Sequence, residues 1–164
     1  MRHIIIGFLL ALGLSAPALA MGHGAKQAGL HVHGSKLMLG IGARPAAIFG
    51  HVMNKSGAAK RLVAADSPAF ERIELHTHEI DPNGMMRMLK VDGFDVPIKG
   101  GLKLARGGHH LMAFGFNGAA GDDVSVTLRF ADDSTIEFRV TATARAKHGG
   151  HKKPSQGKMG HHGH

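Results

Sequence analysis

An alternation of apolar and polar residues with a period of two is the feature that most limits the folds open to this sequence. Every second residue from Val124 to Phe130 is apolar, and the same holds from Ile136 to Val140. Because successive side chains of a strand point to opposite faces, this pattern indicates strands that are buried on one face. No stretch of useful length shows helical periodicity, so the sequence predicts an all-β fold.

Turn residues divide the middle of the chain into short segments rich in Val, Ile, Leu, Phe and Thr. The clearest turns are Asp81–Gly84, Lys99–Gly101 and Asn117–Gly118. Seven or more short strands in about a hundred residues are typical of a β-sandwich or barrel. We predict strands at Lys36–Gly42, Ala47–Met53, Arg61–Ala65, Arg72–Glu79, Met85–Val91, Leu102–Ala105, His110–Phe116, Asp123–Phe130 and Thr135–Thr143.

The first twenty residues have the features of an export signal. Ile4–Leu14 is apolar but too short to span a bilayer comfortably, and Ala18–Ala20 forms a small-x-small cleavage site. We therefore expect a periplasmic protein with no stable membrane insertion after cleavage; an uncleaved anchor is the alternative. The predicted organisation is a signal peptide (1–20), a Gly/His-rich segment (21–34), a β-sandwich domain (35–144) and a flexible His/Lys-rich tail (145–164).

Composition excludes several classes of function. The chain has no cysteine, which excludes a disulfide scaffold, a thiolate zinc site and a blue-copper centre. The net charge is +8, yet all twelve Asp and Glu lie between Asp66 and Glu137, so the basic excess sits at the two ends. A basic body with interleaved Trp or Tyr, as a nucleic-acid binder would carry, is absent.

Histidine and methionine are unusually frequent, with fourteen His and nine Met. Imidazole is the commonest protein ligand for transition metals, and thioether sulfur selects soft ions such as Cu(I). Three short patterns concentrate these residues, namely Glu74–His78, Met85–Met88 and Gly107–Met112. The pairs expected to share a strand face are His76 with His78, Met86 with Met88, and His110 with Met112.

These patterns can meet in space. The Asp81–Gly84 turn predicts a hairpin that brings a His-bearing strand beside a Met-bearing one, and Gly107–Gly108 allows a bend before His110. If the third strand reaches that hairpin, two imidazoles and two thioethers converge in a site suited to Cu(I). We expect a copper carrier rather than an enzyme, since the motifs of an oxidase or a superoxide dismutase are missing.

The tail has too few apolar residues to pack and carries further imidazoles. We read it as an arm that captures Cu(II), with Zn and Ni as weaker alternatives. The alternative function is a general metal-sequestering or copper-resistance protein acting mainly through this tail. The Gly/His-rich segment, with His23, His31 and His33, has the same potential. The tail histidines are His148, His151, His161, His162 and His164.

The stretch from Ile48 to Phe116 resembles the periplasmic copper chaperones of the PCuAC type. That family's signature is a His, a Met about ten residues later, and then a His-x-Met about twenty-one residues further on. Twenty-one residues separate Met88 from His110, whereas eleven separate His76 from Met88, one more than usual. The resemblance implies the ligand set His76, Met88, His110 and Met112, with His78 or Met86 as alternatives for the first two.

The resemblance also implies a fold and a partner. It implies a cupredoxin-like Greek-key β-sandwich with flexible His-rich termini. It further implies delivery of copper to a copper centre of a respiratory cytochrome oxidase, often alongside a Sco-type protein. Members with His- and Met-rich C-terminal extensions are known, and the stretch from Lys147 to His164 is similar to one.

Overall fold

The computed structural model describes residues 29–145, which form ten strands. This part of the chain contains no helix that is long and apolar enough to cross a membrane. The predicted signal peptide and the five tail histidines lie outside the described residues. The strands are β1 (Leu30–Met38), β2 (Ala46–Asn54), β3 (Lys60–Asp66), β4 (Arg72–Ile80), β5 (Met86–Lys90), β6 (Phe94–Val96), β7 (Gly100–Leu104), β8 (His110–Phe114), β9 (Asp123–Phe130) and β10 (Thr135–Thr143).

The predicted all-β fold is confirmed, with two differences along the chain. Strand β6 was not predicted, because three residues are too few to show an alternation. Strand β1 spans Leu30–Met38, so it overlaps the predicted strand Lys36–Gly42 only at residues 36–38 and begins before the predicted start of the domain at residue 35. Leu30 is buried and Val32 pairs with Val52, so His31 and His33 are the outward residues of a strand rather than part of a separate segment.

The strands form two sheets that share one link. The smaller sheet has the order β10-β9-β3-β6, and the larger one has the order β5-β4-β8-β2-β1, with β7 also paired to β2. A short parallel contact between β1 and β10 joins them at Leu37 and Met38. The sheets enclose a core whose fully buried side chains include Leu37, Ile48, Val52, Leu62, Leu111, Val126, Leu128 and Phe130.

Strand β2 organises the larger sheet. One edge pairs with β1, while the other pairs with β8 over Ala46–Ile48 and with β7 over Gly50–Asn54. Ile48 and Val52 point into the core with no exposed surface. Phe49 and His51, whose side chains alternate with these residues, therefore lie on the opposite side of the sheet. We call this side the outer face.

Candidate metal site

A tight hairpin joins β4 and β5, as the Asp81–Gly84 turn predicted. The Asp81 carboxylate accepts hydrogen bonds from the backbone N–H of Asn83 (2.9 Å) and Met85 (3.0 Å) and from Nε of Arg87 (2.9 Å). The bond from the Met85 backbone, more than the others, lowers the pKa of Asp81 below its ordinary value. Gly84 adopts a φ of 77°, which suits glycine. The turn thereby fixes which residues of the two strands face each other.

The hairpin register places His78 opposite Met88. On the other edge of β4, strand β8 pairs so that His76 lies opposite His110 and Glu74 opposite Met112. The three His- and Met-bearing patterns therefore lie on adjacent strands in the order β5, β4, β8. Leu75 and Leu111, which alternate with them, are buried in the core, so the candidate ligands occupy the outer face.

A cavity of about 320 Å³ opens on this part of the outer face. Three of the four predicted ligands, Met88, His110 and Met112, line it. The imidazole that lines it from β4 is that of His78, whereas His76 is not one of the lining residues. Met88 is 45% exposed, so one wall of the cavity is open to a partner.

His110 is the central imidazole and is only 3% exposed. Its Nδ1–H donates to the carbonyl of Gly108 at 3.0 Å, which leaves the lone pair of Nε2 available. Burial lowers the pKa of His110 below its ordinary value, and the neighbouring imidazoles of His78 and His76 act in the same direction. His110 is therefore neutral at neutral pH, the state in which imidazole binds metals.

The ring of His78 stacks on that of His110, with centroids 5.1 Å apart. Its Nδ1 lies 3.4 Å from the same Gly108 carbonyl. Gly107, with a φ of 77°, turns the chain so that this carbonyl reaches both rings. One backbone oxygen thus orients two imidazoles, each with Nε2 directed away from it.

His76 is held differently. Its Nε2 is 3.0 Å from a carboxylate oxygen of Glu74, and its ring centroid is 5.9 Å from that of His110. The pKa of Glu74 is lowered to about 2, mainly by the hydrogen bond from His76 and further by those from Lys90 and Arg72. The Glu74 carboxylate is therefore an anionic acceptor. His76 Nε2 is then the donor, and Nδ1 keeps a lone pair. That Nδ1 is buried and has no hydrogen-bond partner within the described residues, as expected of a metal ligand before its metal binds.

Comparison with known proteins places the chain in a family. The family model described as "Putative lipoprotein LpqE-like" matches residues 28–142. The chain belongs to the LpqE-like family. A curated relative of this LpqE-like protein, "Putative lipoprotein Lxx21020" of Leifsonia xyli subsp. xyli (strain CTCB07), is 35% identical over 141 residues, covering 84% of this chain and 82% of the relative.

Solved structures similar to the LpqE-like chain share its fold. The copper-bound PCuAC domain from PmoF2 matches with a TM-score of 0.59 at 17% identity, over 76% of this chain and all of that domain. The solution structure of CuI-DR1885 from Deinococcus radiodurans matches with a TM-score of 0.54 at 27% identity, over 67% and 75%. Its apo form matches at 28% identity, over 88% and 97%, with a TM-score of 0.53. The cupredoxin-like β-sandwich is thereby confirmed.

The donor set of the LpqE-like protein suits a soft ion. Within residues 29–145, no three His, Cys, Asp or Glu side chains are grouped so that they could hold a metal by themselves. A hydrolytic zinc site normally needs three such ligands. The thioethers of Met88 and Met112 line the cavity together with the imidazoles, and imidazole with thioether is a donor combination that suits soft ions.

Sequence reasoning missed four contributors to this site. The Gly108 carbonyl is a backbone group, so no residue identity could have indicated it. Phe49 and Met38 also line the cavity, but they come from β2 and β1, whose positions depend on the sheet order. The anchoring role of Glu74 was detectable in principle, because Glu74 and His76 share a strand face.

Proposed function

We propose that this LpqE-like protein is an exported copper chaperone that holds one Cu(I) through His76, Met88, His110 and Met112 and releases it to another protein. The observation that carries the proposal is the meeting of imidazoles and thioethers from three chain segments on one sheet face. The likeness to a Cu(I)-bearing structure at 27% identity supports the same reading. Copper is cargo here, and no catalytic step is proposed.

We choose Met88 over Met86 as the β5 thioether because Met88 lines the cavity and Met86 does not, so the open choice concerns the second imidazole. His76 is favoured by its position opposite His110 and by its buried Nδ1, which has no partner among the residues that the structure describes. His78 is the alternative because it lines the cavity and lies opposite Met88. Either choice gives two nitrogens and two sulfurs, none of which carries a charge, so the ligand atoms themselves do not compensate the charge of the bound ion.

A site of this kind suits transfer. Thioethers bind Cu(I) without the charge of a thiolate, so a recipient with a stronger donor set can compete for the ion. The exposure of Met88 gives such a recipient a place to begin ligand exchange. We propose that the recipient is a copper centre of a respiratory oxidase, reached in the periplasm directly or through a Sco-type protein, and that the tail histidines capture Cu(II).

Replacing both thioethers tests the Cu(I) site. In Met88→Leu/Met112→Leu, competition against a Cu(I) chelator should show at least about a hundredfold loss of affinity, because loss of a direct ligand exceeds the 10–100-fold effect of losing a supporting residue. X-ray absorption of the Cu(I) protein should lose its sulfur contribution. Met85→Leu is the control, because Met85 is also exposed (63%) but precedes β5 and does not line the cavity. Undiminished affinity in the double variant would overturn the proposal.

The choice between the two histidines needs a separate pair of variants. His76→Gln should weaken Cu(I) binding strongly, whereas His78→Gln should weaken it much less. The reverse order would assign the second imidazole to His78. If neither substitution affected affinity, the β4 histidines would not be ligands and the four-ligand site would be refuted.

The competing function is metal sequestration by the tail. Truncation after Thr143 separates the two, since a chaperone keeps its Cu(I) site without the tail. A truncated chain that lost all tight copper binding would favour sequestration.

A further inference from the structure

A second pair of histidines lies on the outer face away from the first cavity. His33 of β1 is the direct register partner of His51 of β2. Their ring centroids are 4.9 Å apart, with an angle of 55° between the planes. Two rings at this spacing and tilt can both direct a nitrogen at one ion at the usual distance of about 2.0–2.1 Å.

Within residues 29–145, neither ring is engaged by another polar group. In the part of the chain that the structure describes, His33 and His51 make no hydrogen bond or ion pair. His33 is exposed and His51 is half-buried, so an ion can reach the pair from solvent. Both rings are therefore uncommitted donors, unlike His109, whose Nδ1 lies 2.9 Å from Thr77 Oγ1.

The backbone around the pair is irregular in a way that makes room for it. The β1–β2 register shifts between His33 and Lys36, which is a β-bulge, a feature that redirects side chains near functional sites. On the neighbouring strand, Gly101 has no side chain beneath His51; a Cβ there would come within 2.9 Å of His51 Nε2. The ring can thus lie flat toward β7 while remaining next to His33.

A cavity of about 450 Å³ adjoins the pair. It shares Met38, Phe49 and Arg106 with the first cavity, so the two open side by side on the same face. Met38 supplies a thioether between them, and its sulfur accepts a hydrogen bond from Arg106 Nη2 at 3.3 Å.

We propose that His33 and His51 form a second metal site, which takes Cu(II) beside the Cu(I) cavity. Two imidazoles with no protein thiolate or carboxylate favour Cu(II) over the other common divalent ions, following the general order of stability of their complexes. Lys36 and Lys103 line the same cavity, and their positive charges oppose a cation. The bound ion is consequently exchangeable, and Lys103→Gln should strengthen its binding severalfold.

Bound Cu(II) broadens the NMR signals of nearby nuclei, so the broadened signals of the full-length protein show where the ion binds. Cu(II) is added beyond the amount that saturates the tail, and backbone amide signals are followed by NMR. The amide signals of Val52 and Lys103 should broaden in the unsubstituted protein. In His33→Gln/His51→Gln the same signals should stay sharp. The apparent affinity at this position should fall at least about tenfold in either single variant. Retained signal dispersion in the double variant establishes that it still folds.

His31→Gln is the matched control, because His31 lies on the same strand face but opposite Met53. It should leave the broadening unchanged. Broadening that survives the double substitution, or that His31→Gln also removes, would overturn the paired site in favour of the tail or of a His31–His33 chelate. Cu(I) affinity should be unaffected by the double substitution, so failure of this site is distinguishable from failure of the chaperone proposal.

Discussion

Leu111 stands between His110 and Met112 in β8 but points the other way, into the core, with no exposed surface. Leu111→Ala therefore leaves a cavity in the core while keeping every candidate ligand. Substitutions of this kind at fully buried leucines cost about 2.7–5.0 kcal/mol. Taking about 3 kcal/mol and a urea dependence of about 1.5 kcal/mol per molar, the unfolding midpoint of the copper-free protein should fall by about 2 M.

Copper should stabilise the variant and the unsubstituted protein equally. With free Cu(I) buffered at a hundred times the dissociation constant, the expected gain in the free energy of unfolding is about 2.7 kcal/mol in both. Met112→Leu should instead change the response to copper. Because the exchange conserves volume, it should lower the free energy of unfolding of the copper-free protein by less than about 1.5 kcal/mol. It should also remove most of the stabilisation that Cu(I) provides.

The assay is urea unfolding followed by circular dichroism, with and without buffered Cu(I). The two variants should show opposite behaviour, one losing stability and the other losing the response to copper. If Leu111→Ala abolished the copper response while the copper-free midpoint stayed within about 0.5 M, strand β8 would have its faces reversed. The separation of core and site by strand alternation would then be refuted.

Three further predictions concern stability and the hairpin. The pKa of Asp132 is held at about 2 by Lys60 first and by Ser134, so this carboxylate stabilises the fold above about pH 4 and loses its effect as the pH falls through 2. Asp132 is 45% exposed, so Asp132→Asn should lower the free energy of unfolding at pH 6 by less than about 1 kcal/mol. Asn54 is fully buried, and its side-chain amide donates a hydrogen bond to the carbonyl of Val96 at 3.0 Å. Asn54→Ala should therefore lower the free energy of unfolding, measured in urea, by about 2 kcal/mol or more. Asp81→Ala should loosen the β4–β5 turn and weaken Cu(I) binding, as measured against a chelator.

Each of these has a neighbouring control. Asp133→Asn changes an exposed acid that forms no ion pair within the described residues and should change the free energy of unfolding at pH 6 by less than about 0.5 kcal/mol. Asn117→Ala, at an exposed site, should cost under about 0.5 kcal/mol. Asp92→Ala should leave copper affinity unchanged. A pH profile unchanged by Asp132→Asn, an Asn54→Ala protein as stable as the parent, or full affinity in Asp81→Ala would contradict the corresponding prediction.

Strand positions were predictable because they depend on local alternation. The run from Val124 to Phe130 became β9 with the predicted bounds, and the Asp81–Gly84 turn produced the expected hairpin. Strand β6 shows the limit of this signal. Phe94 and Val96 are buried by pairing with β3, a contact between residues more than thirty positions apart that no local pattern encodes.

The site was predictable by residue type but not in full geometry. The meeting of β8 with the hairpin was a condition in the sequence argument, and it depends on the order of strands in the sheet. Which β4 imidazole faces the cavity depends on hairpin register, which turn length alone left open between His76 and His78. The pairing of His33 with His51 depends on a bulge within β1, so spacing could not have indicated it.

The shared carbonyl of Gly108 has a consequence for recognising such proteins by sequence. It orients both His78 and His110, so the protonation pattern of two rings depends on the length of the turn from β7 to β8 rather than on any side chain. A homologue could retain every histidine and methionine and yet, through one inserted residue in that turn, present hydrogen-bearing nitrogens where lone pairs are needed. Turn length therefore belongs beside ligand identity when copper binding is inferred for related chains.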